Sequence, residues 1–107
     1  MANKIAIIGD SESIKGFAAI GFDLIECESK EKAGLILRNT AETGLYSIIY
    51  MTEEMFLSSE KERKKYEEKT LPAIIPVPGL RGNNGIGRQR LSDFVEKAVG
   101  SDIIFNN

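Results

Sequence analysis

Three groups of residues in this chain of 107 could in principle do chemistry. Asp10 and Glu12 follow a short apolar run, and Glu53 and Glu54 follow another. Four carboxylates at strand ends could hold Mg²⁺ or serve as general bases. Cys27 is the only thiol and closes a third apolar run. A phosphocysteine or redox thiol wants a basic or glycine-rich anion nest beside it, but Glu28, Ser29 and Lys30 follow instead. Gly79, Gly82, Gly85 and Gly87 form a glycine-rich stretch near Arg81, Arg88 and Arg90. It has no Lys-Ser/Thr pair at a helix start, so it lacks the form of a phosphate loop. It also lacks aromatic partners for stacking nucleic-acid bases.

Composition narrows the chemistry further. The chain has no His, which removes the commonest general base and metal ligand. One cysteine cannot close an internal disulfide, and a reduced, cytosolic thiol is the expectation. The net charge of −2 argues against non-specific nucleic-acid binding, which needs an excess of Lys and Arg. With 42% hydrophobic and 28% charged residues the chain reads as one soluble globular domain. No apolar run approaches the roughly 20 residues of a membrane-spanning helix. The start, Met1 to Lys4, lacks the pattern of a signal peptide.

The elements that must position these residues follow from periodicity. Lys4–Gly9, Asp23–Cys27, Ser47–Met51 and Pro72–Pro78 are short apolar runs rich in β-branched residues, and read as strands. The prolines of the fourth place it at a sheet edge. Helical patterns alternate with the strands. The first is capped by Asp10 or Ser11, carries Ile14, Phe17 and Ala18 on one face, and ends at Gly21. The second is capped by Ser29, carries Ala33, Ile36, Leu37 and Ala41, and ends at Gly44. The third is capped by Thr52 and runs from Glu53 to Lys69 as one helix. Its second half holds five basic and four acidic residues between positions 60 and 69, the pattern of a solvated, ion-paired surface. A fourth helix extends to Val99 with Leu91, Phe94, Val95, Ala98 and Val99 on one face.

This βαβαβαβα order predicts a small doubly wound, Rossmann-like α/β domain: a four-stranded parallel sheet flanked by helices, in the order 2-1-3-4. Such sheets bind ligands where the strand order reverses, between the loops after the first and third strands. Here those loops carry no G-x-G-x-x-G, and their acids would repel phosphates. The acids read as helix-capping groups. A phospho-receiver would need an Asp at the end of the third strand, where Tyr50-Met51-Thr52 stands. The expected organisation is a domain over residues 1–78, a glycine-rich hinge over 79–87, and a tethered helix and tail over 88–107. The tail places Ile103, Ile104 and Phe105 together, an apolar cluster suited to a protein partner.

The chain resembles the F subunit of V-type (A/V-type) rotary ATPases in its bacterial form. The resemblance rests on Lys4-Ile-Ala-Ile-Ile-Gly-Asp-Ser11 followed by Gly16-Phe17, on Pro72-Ala-Ile-Ile-Pro-Val-Pro-Gly79, on Gly85-Ile-Gly87, and on Val95-Glu-Lys-Ala-Val-Gly-Ser-Asp-Ile-Ile104. The last two, in that order and spacing, are the specific part. The resemblance implies a non-catalytic, cofactor-free rotor part in the cytoplasm, peripheral to the membrane. It would bind the coiled-coil D subunit and form with it the central shaft inside the hexamer of catalytic A and B subunits. It would pass torque to the membrane rotor and stimulate ATP hydrolysis. No family motif assigns contacts. Apolar patterning places the partner interface on Leu91, Phe94, Val95, Ala98 and Val99, with the tail and with Arg88 and Arg90 available to acidic groups. A receiver-like or phosphocarrier-like regulatory module is the alternative of a different class.

Overall fold

The computed structural model describes residues 2–80, together with Asp93, Glu96 and Lys97, which are helical and exposed. Four strands form one parallel sheet: β1 (Lys4–Gly9), β2 (Asp23–Glu26), β3 (Tyr46–Thr52) and β4 (Ala73–Val77), in the order β2-β1-β3-β4. The expected topology and the edge position of the proline-bearing strand are both found. β1 is central. Ala6, Ile7 and Ile8 are fully buried, because a parallel strand between two others is covered on both faces.

Strand alternation divides the core in two. On one face Ala6 and Ile8 of β1 meet Ile49 and Met51 of β3. They are covered by Ala33 and Leu37 from α2 (Ala33–Glu42) and by Met55 from α3 (Glu53–Ser58). On the other face Ile7 and Val77 pack with Ile14 and Phe17. There Phe22 stacks between Phe17 and Tyr50, with centroids 5.6 and 5.4 Å apart.

The helices depart from their expected form in three places. α1 (Ser11–Ile14) tightens into a 3₁₀ stretch over Lys15–Ile20. At three residues per turn the aligned positions are Ile14, Phe17 and Ile20, so Ala18 rotates off the face and is exposed. Gly21 ends the turn at φ 85°, a left-handed conformation that favours glycine. Before α2, Ser29 caps no backbone group. Its hydroxyl donates to Glu31 at 2.8 Å, and a 3₁₀ turn over Lys30–Lys32 leads into the helix.

The single helix expected from Glu53 to Lys69 is broken at Ser59. α3 stops at Ser58, and α4 (Glu60–Arg63) begins afresh and runs into a 3₁₀ turn over Lys64–Tyr66. Ser59 leaves helical geometry at φ −111°, ψ 20°, and its hydroxyl donates to the Phe56 carbonyl at 3.1 Å. A serine that bonds its own preceding turn competes with the helix ladder. Arg63 stabilises the joint. Its Nε donates to the same carbonyl at 2.7 Å while its guanidinium lies 3.6 Å from the Phe56 ring centroid.

Candidate functional site

The carboxyl edge of the sheet, where β1 and β3 diverge, is where a doubly wound domain would bind a ligand. In this chain the crevice is filled by its own residues. Gly9 ends β1 against Thr52 and Ile14. A Cβ added there would lie 2.9 Å from Ile14 Cγ2 and 2.9 Å from Thr52 Oγ1, and closer still to Thr52 Cγ2. From the far side Gly79 is packed so tightly that a Cβ would lie 3.3 Å from Thr52 Cβ and 3.5 Å from Ser13 Oγ.

A short polar chain ties this packing together. The Leu80 backbone N–H donates to Ser13 Oγ at 2.9 Å, and Ser13 Oγ donates to Asp10 Oδ2 at 2.9 Å. Asp10 Oδ2 also accepts the Ser13 backbone N–H at 3.2 Å. Asp10 is thus the N-cap of α1 and the end of a latch from the β4 exit to the β1 exit. Gly79 and Leu80, the first residues of the expected hinge, form that latch.

The other candidate groups separate. Glu12 is exposed, while Glu53 and Glu54 are half-buried in the first turn of α3. Glu28 carries no sequence signal of a role, yet its Oε1 accepts the Ser11 N–H at 2.9 Å. Seventeen residues separate the two, so no local pattern could have shown it. Thr52 does not cap α3 with its side chain. Its hydroxyl is buried with no hydrogen-bond partner, because the side chain is turned into the packing beside Gly9. The phospho-acceptor position at the end of β3 holds the buried pair Met51 and Thr52. Cys27 is 2% exposed; its thiol donates to the Ser29 carbonyl at 3.2 Å and lies 3.6 Å from Met55 Sδ. That is the environment of a core thiol. No group of three or more His, Cys, Asp or Glu side chains among the described residues could hold a metal ion.

At the opposite edge a second polar cluster joins three strands. Lys4 on β1 pairs with Asp23 on β2 at 2.8 Å, and Tyr46 on β3 donates to the same carboxylate at 2.8 Å. The hydrogen bond from Lys4, then that from Tyr46, holds the Asp23 carboxyl below its usual range. The same hydrogen bond raises Lys4, and burial followed by the bond to Asp23 raises the Tyr46 phenol.

The residues expected to form the partner interface, Arg88, Arg90, Leu91, Phe94, Val95, Ala98, Val99, Ile103, Ile104 and Phe105, lie outside the described residues. Among the described residues no helix is long and apolar enough to cross a membrane.

Fold and site together define a class: a doubly wound α/β domain whose ligand crevice is occupied by its own backbone and side chains. The comparisons with known proteins are more specific. The family model described as ATP synthase (F/14-kDa) subunit matches residues 5–95. The F subunit of the V-type ATP synthase of Clostridium perfringens is 38% identical over 104 residues, covering 97% of this chain and 98% of that one. The corresponding F subunit of Fusobacterium nucleatum is 35% identical over 102 residues, covering 94% of this chain and 95% of that one. A crystal structure of the V-type ATP synthase F subunit from Archaeoglobus fulgidus superimposes with a TM-score of 0.63. It covers 72% of this chain and 99% of that one at 22% identity, a likeness of fold. The chain belongs to the family of the ATP synthase (F/14-kDa) subunit, and within it to the F subunits of V-type ATP synthases. It is a non-catalytic subunit on that ground.

Proposed function

We propose that this chain is a central-stalk rotor subunit that binds the coiled-coil D subunit and helps pass torque between the catalytic A and B subunits and the membrane rotor, stimulating ATP hydrolysis as it does so. The family match over residues 5–95 carries this reading. The filled crevice supports it, since a domain that has packed its ligand site with Gly9, Thr52 and Gly79 is suited to act as a rigid body. In this reading Leu91, Phe94, Val95, Ala98 and Val99 lie along a helix of D, the usual mode for an amphipathic helix. Arg88 and Arg90 pair with acidic groups of the partner and set register more than affinity. Ile103, Ile104 and Phe105 extend the apolar contact. The complex places the subunit at the cytoplasmic face of the membrane without inserting it.

The test is copurification of tagged protein from native membranes. D, A and B subunits should be recovered together. A chain ending at Leu80, which keeps the latch to Ser13, should recover less D and lose stimulation of ATP hydrolysis. Normal binding and stimulation by that truncated chain would overturn the interface. Recovery of no ATP synthase subunit under conditions that keep the enzyme intact would overturn the rotor reading itself.

A further inference from the structure

The outer flank of β4 carries a groove whose floor rests on the core through Ile74 and Phe56 and which lies apart from the latch. Pro72, Ile74, Pro76 and Pro78 recur at every second position and so lie along one side of β4. α3, α4 and the turn after them form the facing wall. At the end near the start of β4 the groove has a volume of ≈ 290 Å³ and is lined by Arg63, Tyr66, Lys69 and Thr70, with Pro72 and Ile74 as its apolar floor. At the end near the exit of β4 it has a volume of ≈ 330 Å³ and is lined by Phe56, Leu57, Pro76 and Pro78, with Glu53 beside them. Arg63, which lines the first end, stacks on Phe56, which lines the second, so the two lie side by side.

Two features select the occupant. The first is charge. Arg63 and Lys69 both line one end, and no carboxylate among the described residues lies within ion-pair distance of either. Lys69 instead lies 5.4 Å from the Tyr66 ring centroid. Glu67, exposed, lines the same end, so the three charged side chains there leave one net positive charge for a partner to meet. The other end is apolar, with Leu57 71% exposed. The second is backbone chemistry. Pro72, Pro76 and Pro78 bring no N–H groups to this edge, so an incoming strand could not extend the ladder through them. An occupant must therefore be read by its side chains.

We propose that this groove is a docking surface for a partner-protein segment that carries a carboxylate next to apolar residues, the carboxylate seated between Arg63 and Lys69 and the apolar residues on Leu57, Pro76 and Pro78. The inference deepens the stalk reading and rests on it for the partner, another component of the same complex; it adds a second contact surface to the one assigned to the C-terminal helix. A carboxylate held between a guanidinium and an ammonium specifies register and orientation, and the apolar end supplies the buried area.

The experiment is zero-length carbodiimide cross-linking in the intact complex, which joins Lys69 Nζ only to a carboxylate in direct contact. Lys69 should be joined to an Asp or Glu of another subunit, and Lys69→Glu and Leu57→Asp should each weaken assembly roughly tenfold. Lys61→Glu is an exposed charge reversal on α4 outside the groove and should assemble normally. Circular dichroism on each variant separates lost docking from lost folding. An intact complex in which Lys69 is joined to nothing beyond its own chain overturns the groove and leaves the stalk reading standing. So does normal assembly of both groove variants. A Lys69 cross-link to a protein outside the ATP synthase, and to none of its subunits, overturns the proposed occupant, while the stalk reading is decided by the copurification.

Discussion

Gly9 shows most directly how one residue type decides the chemistry available to this fold. The space a side chain would need there is taken by Thr52 and Ile14. Gly9→Ala should cost about 1–3 kcal/mol, read as a lower urea midpoint, because the neighbours are core groups with little freedom to shift. Thr52 makes the complementary case. Its buried hydroxyl has no partner, so Thr52→Val should leave stability unchanged or raise it by up to roughly 1 kcal/mol. A clear loss in the same denaturation experiment would mean that the hydroxyl is satisfied in solution. At the opposite edge, Asp23 is held below its ordinary value of 3.8, so its contribution to stability is present above the unfolded-state value and lost as pH falls through the folded one. Lys4 and Tyr46 are held above 10.5 and 10.0, so their contributions are complete below those values and lost as pH rises through the folded ones. Asp23→Asn should therefore lower stability most near neutral pH, with the gap to the natural protein closing in acid and in strong alkali. A gap independent of pH would assign the effect to packing.

Among the elements, the strands were legible and the helices less so. β1 and β4 announce themselves by short apolar runs rich in β-branched residues, and the prolines alone place β4 at the edge. What periodicity misses are local contests between side chain and backbone. A 3.6-residue repeat puts Ala18 on a buried face, whereas the chain there winds three residues per turn. The charged run through Glu60–Lys69 reads as one helix because nothing in a helical repeat shows that Ser59 will bond the Phe56 carbonyl. Arg63 is the test of that joint. Arg63→Ala removes a hydrogen bond to that carbonyl and the stack on Phe56, and should cost about 1–2 kcal/mol in thermal or chemical unfolding. A cost near zero would mean that α3 and α4 hold their angle without it. The latch is equally illegible in the sequence. Leu80 and Ser13 are separated by 67 positions, and no spacing rule connects them.

For the whole molecule the sheet order and the filled crevice decide what the carboxyl edge of the sheet can hold. Alternation of strands and helices is enough to derive a doubly wound domain, and missing glycine motifs are enough to doubt a nucleotide site. The packing of Gly9, Thr52, Gly79 and Leu80 adds the physical reason that the crevice between β1 and β3 is closed. ATP and NAD should therefore produce no saturable shift in melting temperature, and a dose-dependent rise with either would show that the latch opens. The sheet order also bears on how the molecule is made. Of the four strands β1 is synthesised before the others and lies inside the sheet; β2 joins one side of it, β3 the other, and β4 lies against β3. Every later strand thus finds an edge already synthesised, and none has to be inserted between two that have already paired. The sheet can be laid down in the direction of translation, with the Leu80–Ser13 bond following β4, so nascent chains stalled at successive lengths should gain protease resistance strand by strand.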